Sequence, residues 1–278
     1  GNCTAELLVR WTQVGAFYPF MRNHAGLGTL PQEPWAFGPE TEALVREAIR
    51  MRYRFLPYLL TLAHRAHRTG EPILRPMLYD FPDQEELRYL DDQFMFGPSL
   101  LVAPVVRQGH RHRLVHLPPG EWHDFWDGTR HQGPLALAVA APLERIPLFV
   151  RGGGVLTLGN ERLNTAEPLT ELTLEIFPGN LASEWTWIEE GGLSPVHGPE
   201  DLAETRVSIQ PGNFLEVKVH SRSGGWQPHP RMLRVRLHCP ERPARVLLDR
   251  QGCEWTWNGR YAEVSWPDEG RSRVLRYC

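Results

Sequence analysis

From Gln93 to the C-terminus the chain shows little recurrence of apolar residues at helical spacing. Short apolar runs alternate with turns rich in Gly and Pro, which number 25 each in the whole chain. That pattern confines about two-thirds of the molecule to β-structure. Strands are expected at Phe94–Val106, Arg113–Leu117, Glu121–Trp126, Leu135–Ala141, Ile146–Arg151 and Val155–Leu158. Turns are expected at Gln108-Gly109, Pro118-Pro119-Gly120 and Asp127-Gly128. The polar, Pro-containing connection from Asn160 to Pro168 reads as a boundary. Beyond it, strands are expected near Leu169–Phe177, Glu184–Ile188, Thr205–Ile209, Phe214–Ser221, Met232–His238 and Ala244–Leu248. The chain ends in a hairpin, Glu254–Trp257 and Arg260–Trp266, turned by Asn258-Gly259, which tolerates the positive φ of a two-residue loop. Strands this short with turns this frequent predict two antiparallel sandwiches, 92–162 and 163–278.

The first 91 residues differ in kind. Thr4 is placed to cap a helix whose apolar face is Leu7, Leu8, Trp11 and Val14, with Gly15 as its stop. Phe17 to Met21 then reads as a short buried strand that carries Arg22, Asn23 and His24 to the rim of a pocket. A core strand has no use for Arg-Asn-His in succession, and a solvated loop has none for Phe-Tyr-Pro-Phe. After a loop rich in Gly and Pro, helical periodicity returns from Thr41 to His67 (Leu44, Ala48, Met51, Phe55, Leu59, Leu62, Ala66). Pro57 should kink or split that helix, because it lacks a donor and crowds the preceding turn. Pro72–Asp80 is a second apolar strand. Helix, strand, helix, strand is an α/β alternation whose strands would run parallel.

Several classes are excluded. A formal net charge of -3 is the wrong sign for a nucleic-acid partner. No apolar run is long enough to span a bilayer, so no membrane partner is expected. No cofactor or metal is called for. Free thiols at Cys3, Cys239, Cys253 and Cys278 are favoured over a Cys239–Cys253 disulfide. Lys218 is the one lysine, a bias that points to a GC-rich genome more than to site chemistry. The chain opens on Gly and enters a helical pattern almost at once, which reads as a fragment or a processed chain.

Three sets of residues compete for chemistry. Adjacent acids stand at Asp91/Asp92, Asp124 with Asp127, and Glu189/Glu190. Sugar hydrolysis needs two carboxyls across a cleft, and neighbours on one strand face opposite ways, so turn and surface roles are favoured. His110, His112 and His116, or His123 with Asp124, Asp127 and His131, lack ligand spacing for a metal. Trp185 with Trp187, and Trp255 with Trp257, share a face in each pair; sandwich core is favoured over a sugar-stacking platform. Arg22, Asn23 and His24 remain, balanced between a pocket and a buried structural cluster.

The order of motifs resembles glycoside hydrolase family 31, nearest to its α-glucosidases. The resemblance rests on Ala5–His24, Leu30-Pro31-Gln32-Glu33-Pro34-Trp35, Met51–Tyr58, Leu74-Arg75-Pro76-Met77, Asp92–Val105, Leu117–Trp122 and Pro142–Gly153. It weakens beyond about Gly159, where Glu189-Glu190-Gly191-Gly192 resembles the family's acidic turn with Gly where Asp is common. The resemblance implies α/β followed by all-β: 1–91 as the last strands and helices of a (β/α)8 barrel, 92–162 as a proximal and 163–278 as a distal β-sandwich. It implies retaining hydrolysis of a terminal α-glucosyl bond in an α-glucoside or maltooligosaccharide, by an Asp pair upstream of these residues. His24 would hydrogen-bond hydroxyls of the terminal glucose, Arg22 would support that pocket, and no residue here would be catalytic. A lone carbohydrate-binding module, an α-xylosidase and a transglycosylase are the rival readings. A quarter of a barrel would leave edges bare, so the first 91 residues should be poorly ordered alone or covered by a second copy of the chain.

Overall fold

A computed structural model describes residues 2–192 and 198–278. Helix α1, Ala5–Gly15, begins as expected, with the Thr4 hydroxyl accepting from the Leu7 N–H at 3.2 Å. It does not hand over to a strand. Phe17 N–H bonds Val14 O and Tyr18 N–H bonds Gly15 O, so Phe17 to Met21 continues as turns into open loop. The reason is hydrogen-bond supply. No strand among the described residues lies alongside, and the guanidinium of Arg52 takes the carbonyls of Ala16 (3.2 Å), Tyr18 (2.6 Å) and Pro19 (3.2 Å) instead.

Helix α2, Pro39–Thr69, runs as one element through Pro57 rather than splitting there. Its cap follows the sequence, with Pro39 at the first helical position, Glu40 and Glu42 in the first turn and Gly70 left-handed at its end. Strand β1, Leu74–Pro76, departs from the expected parallel arrangement: it pairs antiparallel with β2, Phe94–Phe96. With β3 (Leu100–Val102), β4 (His112–Asp124), β5 (Arg130–Ala140) and β6 (Leu148–Arg151) they form a six-stranded sheet ordered β1-β2-β3-β6-β4-β5. Pro118-Pro119-Gly120 does not end a strand. β4 passes through it with a register shift between Leu117 and Gly120, a bulge that lets one long hairpin bend.

The remaining strands make two facing sheets. One is ordered β15-β16-β12-β8-β7: β7 is Val155–Gly159, β8 Glu171–Ile176, β12 Met232–His238, β15 Thr256–Trp257 and β16 Tyr261–Pro267. The other is ordered β14-β13-β17-β11-β10-β9: β9 is Ser183–Glu190, β10 Leu202–Gln210, β11 Leu215–Val219, β13 Val246–Leu248, β14 Gln251–Gly252 and β17 Arg273–Tyr277. β8 and β12 are the parallel pair among the described residues. Asn258-Gly259 joins β15 to β16 as expected, but four residues, 258–261, rather than two separate the paired Trp257 and Ala262; the Asn258 side-chain oxygen accepts from Arg260 N–H at 3.0 Å and Gly259 takes φ 90°.

Helix α2 covers the free edges of both sheets, β7 and β9. Tyr58 stacks on Trp185 of β9 at 5.0 Å, and the Trp185 indole donates to the Thr157 hydroxyl of β7 at 2.9 Å. The Thr61 hydroxyl accepts from the edge amide of Ile188 at 3.0 Å. Gly97, at φ 64°, is required where the helix meets the first sheet, since a Cβ there would lie 2.6 Å from Leu62 Cδ2. Across the sandwich, Arg231 donates to Glu189 Oε2 at 2.7 Å and to Asp268 Oδ2 at 2.7 Å, and Asp268 also accepts from Arg222. All four side chains are buried.

Two stability predictions follow from buried charge. Arg231→Met leaves Glu189 without its cation and should cost roughly 3–5 kcal/mol in denaturant unfolding. Arg46→Ala, which removes an exposed pair with Glu42, should cost no more than about 1 kcal/mol. The second concerns His123, whose Nε2–H donates to Pro178 O at 3.0 Å. Burial, then the nearby charge of Arg130, depresses its pKa to about 4. The unfolded chain therefore binds the extra proton between about 6.5 and 4, so this contribution is full above 6.5 and falls as pH drops through that window. Between pH 7 and 5 the protein should lose about 2 kcal/mol more than His123→Gln does in urea unfolding.

Candidate functional site

The segment Arg22-Asn23-His24 is held from below by an aromatic root. Phe17 is fully buried, edge-on to Phe55 of α2 at 5.4 Å and to Phe96 of β2 at 5.7 Å. Tyr18 packs half-buried against Phe94 at 6.1 Å. With the Arg52 contacts, these fix the base of the loop without a sheet. The three polar residues that follow are exposed rather than set in a strand.

The loop is ordered by its own side chains. Asn23 Nδ2 donates to Gln32 O at 2.9 Å, and Gln32 Nε2 donates to His24 O at 2.6 Å. This crossed amide pair closes residues 23–32. Arg22 Nη2 lies 2.9 Å from His24 Nδ1. A guanidinium has only donors, so Nδ1 must be the acceptor and the ring proton sits on Nε2. His24 consequently offers an Nε2–H donor on an exposed ring. The sequence singles out Arg22 and His24 but not Gln32 or Arg52, whose hydrogen bonds order the loop. Gln32 was visible only as part of the Pro31–Trp35 motif, and Arg52 as one polar position on a long helix.

The other candidates are engaged in local contacts. Asp92 is paired with half-buried Arg113 at 3.2 Å. Asp124 Oδ1 accepts from Trp126 N–H at 2.7 Å, and Asp127 Oδ1 from Thr129 N–H at 2.8 Å, so both shape the turn before β5. Burial raises the Asp124 carboxyl above its ordinary range. Glu189 and Glu190 face opposite ways: one into the buried clamp, the other to His64 of α2 at 3.1 Å. His110 and His112 are exposed and His116 and His131 half-buried, and no group of three potential ligands for a metal occurs among the described residues. Trp185 and Trp187 are core. Trp255 and Trp257 are half-buried against that core, with Arg242 over the Trp255 ring at 5.3 Å.

Buried Glu175 is a further case of structural charge. Burial works against its anion, but the hydrogen bond from His238 (2.7 Å) and the charges of His238 and Arg236 outweigh it and hold the carboxyl below its ordinary range.

Comparison with known proteins gives two family models. "Glycosyl hydrolases family 31 TIM-barrel domain" matches residues 1–62 and "Glycosyl hydrolase family 31 C-terminal domain" matches 70–156. Alpha-glucosidase 2 of Bacillus thermoamyloliquefaciens is 33% identical over 250 residues, 89% of this chain and 32% of the relative. Lysosomal alpha-glucosidase of Rattus norvegicus is 37% identical over 272 residues, 89% of this chain and 28% of the relative. Alpha-xylosidase of Saccharolobus solfataricus is 40% identical over 178 residues, 63% and 24% respectively. A family 31 dextranase of Flavobacterium johnsoniae, complexed with glucose, superposes with TM-score 0.92 at 33% identity over 98% of this chain and 37% of its own. The chain thus spans about a third or less of the curated relatives it matches.

The Arg22–His24 contact predicts a single ring tautomer. In 15N spectra His24 should show a protonated Nε2 and a bare, accepting Nδ1, and Arg22→Ala should average the two. Averaging already present in the unsubstituted chain would refute the contact.

Proposed function

The chain belongs to glycoside hydrolase family 31, and from that premise we propose that it forms the C-terminal portion of a retaining, exo-acting α-glucosidase. Its substrate would be an α-glucoside or maltooligosaccharide, from which terminal α-linked glucose is released. The observation that carries the reading is the match to both family 31 domains together with alpha-glucosidase relatives aligned along 89% of the chain. On this reading 1–91 closes a barrel, 92–162 is the proximal β-domain and 163–278 the distal one. Exposed Trp11, Phe20 and Leu30 suit a surface packed by further barrel or by a second copy of the chain.

Retaining hydrolysis uses one carboxylate to attack the anomeric carbon and another to protonate the leaving oxygen. We assign neither role to this chain; the reacting pair would come from barrel strands preceding it. His24 would donate its Nε2–H to a hydroxyl of the terminal glucose, and Arg22 would hold the ring in that tautomer. The α-xylosidase reading draws on the 40% identical relative, which aligns with a smaller share of the chain.

The purified chain should not turn over an aryl α-glucoside. Turnover that persists through purification and vanishes on substituting an acid of this chain would overturn the assignment. Titrated with monosaccharides, the His24 ring resonances should move with glucose; an equal response to xylose would favour the xylosidase.

A further inference from the structure

The exposed tryptophans are not the ones that sequence alternation singles out. Trp35 is 69% exposed. It stands on a 3-10 turn, Pro34–Phe37, closed by Ala36 N–H to Glu33 O (2.9 Å) and Gly38 N–H to Trp35 O (3.3 Å). Pro34 fixes its own φ, and Phe37 packs against the cluster of Leu8, Val9 and Val45. The backbone beneath the indole is therefore rigid, and stacking on it costs little conformational entropy.

Beside Trp35 lies a groove of about 460 Å³ between α2 and residues 161–167, within the ~300–1,000 Å³ range of small-molecule sites. Ile49 and the Tyr53 ring give it apolar surface. Its rim is polar: Arg50 Nε lies 3.7 Å from Glu161, and Arg162 donates to Glu167 O at 2.8 Å while its Nε is shielded without a partner. Three arginines and three glutamates line the groove, so its formal charge cancels and a polyanion gains nothing there. An aromatic plate with guanidinium and carboxylate groups around it matches a neutral pyranose. The C–H face lies on the ring, and the hydroxyls both donate and accept at the rim.

The groove also lies a short stretch of chain from the candidate site. The crossed amide pair places Gln32 against His24, and three residues carry the chain at most about 11 Å from Gln32 to Trp35. We propose that Trp35 and this groove bind the α-glucan units that follow the terminal glucose, so that Trp35 sets a preference for oligosaccharides over short substrates. This rests on the assignment of the terminal glucose to His24.

The test is a titration of the chain with maltotriose, cellotriose and glucose, read at the Trp35 indole N–H and at the His24 ring. The indole resonance is assigned by its disappearance in Trp35→Phe. Maltotriose should shift it saturably, with glucose at least tenfold weaker. Trp35→Ala should weaken maltotriose binding at least tenfold, and Trp35→Phe should keep most of it. The indole is mostly exposed, so truncation should leave the unfolding midpoint unchanged. Equal binding by Trp35→Ala and the parent chain, an equal response to cellotriose, or a silent indole would overturn the proposal. A His24 that responds to glucose beside a silent Trp35 would sink the groove alone. A Trp35 that responds to maltotriose beside a silent His24 would uphold the groove and sink the glucose assignment.

Discussion

The contact on which most of the structure depends is the seating of α2 across two sheet edges at once. Strands β7 and β9 end their respective sheets, and each would otherwise show water, or another chain, a row of unpaired backbone groups. Tyr58 and Thr61 lie three apart and so share a helical face; one stacks on Trp185, the other takes the edge amide of Ile188. Leaving that amide buried and unpaired would cost about 1–3 kcal/mol. His64 with Glu190 and Arg68 with Glu204 extend the same seam toward the end of the helix. The helix and the sandwich are consequently parts of one hydrophobic core, which runs from Phe17 through Tyr58 to Leu275.

The buried arginines and carboxylates hold the two facing sheets together. The Arg222–Asp268–Arg231–Glu189 chain links the segment after β11, the end of β16, the start of β12 and β9, which belong to opposite sheets. Arg231 and Asp268 each have two charged partners, and Trp187 adds an indole donor to Glu189 at 2.9 Å. Pairing every buried charge with an opposite one separates a tolerable network from a costly one. The adjacent acids that the sequence offers are likewise taken up by local partners. Glu189 accepts from Arg231 and from the Trp187 indole, and Asp124 and Asp127 accept from turn amides.

Local chemistry is legible in the sequence. The Thr4 cap, the Gly70 stop, the Asn258-Gly259 hairpin and the strand-rich second part each rest on the residues that form them. The errors lie where a distant partner decides. Phe17–Met21 has the composition of a core strand, but a strand needs a neighbour, and Arg52 supplies the carbonyls' donors in its place. Alternating helices and strands predict a parallel strand at Leu74–Pro76, whereas its pairing is set by Phe94–Phe96. Pro57 costs α2 its continuity only in isolation; here both flanks of the helix are clamped, by Phe55 and Tyr58, into the core. The exposed Trp35 was legible as a motif and not as a surface, since nothing in its neighbours shows which way a 3-10 turn faces.

The loop bearing His24 inherits its order from this same helix. Phe17, its root, packs on Phe55, and Arg52, one turn earlier, holds its carbonyls. Tyr58, one turn later, holds β9. Three consecutive turns of α2 thus grip the loop, the first sheet and the sandwich edge in sequence, Phe96 being shared between Phe17 and Tyr58. The β-domains need not touch a ligand to matter to it: they fix the helix, and the helix fixes the two backbone anchors from which Arg22 and His24 project. A loop of ten residues with no sheet behind it would otherwise sample many shapes, and the Nε2–H of His24 would have no defined direction.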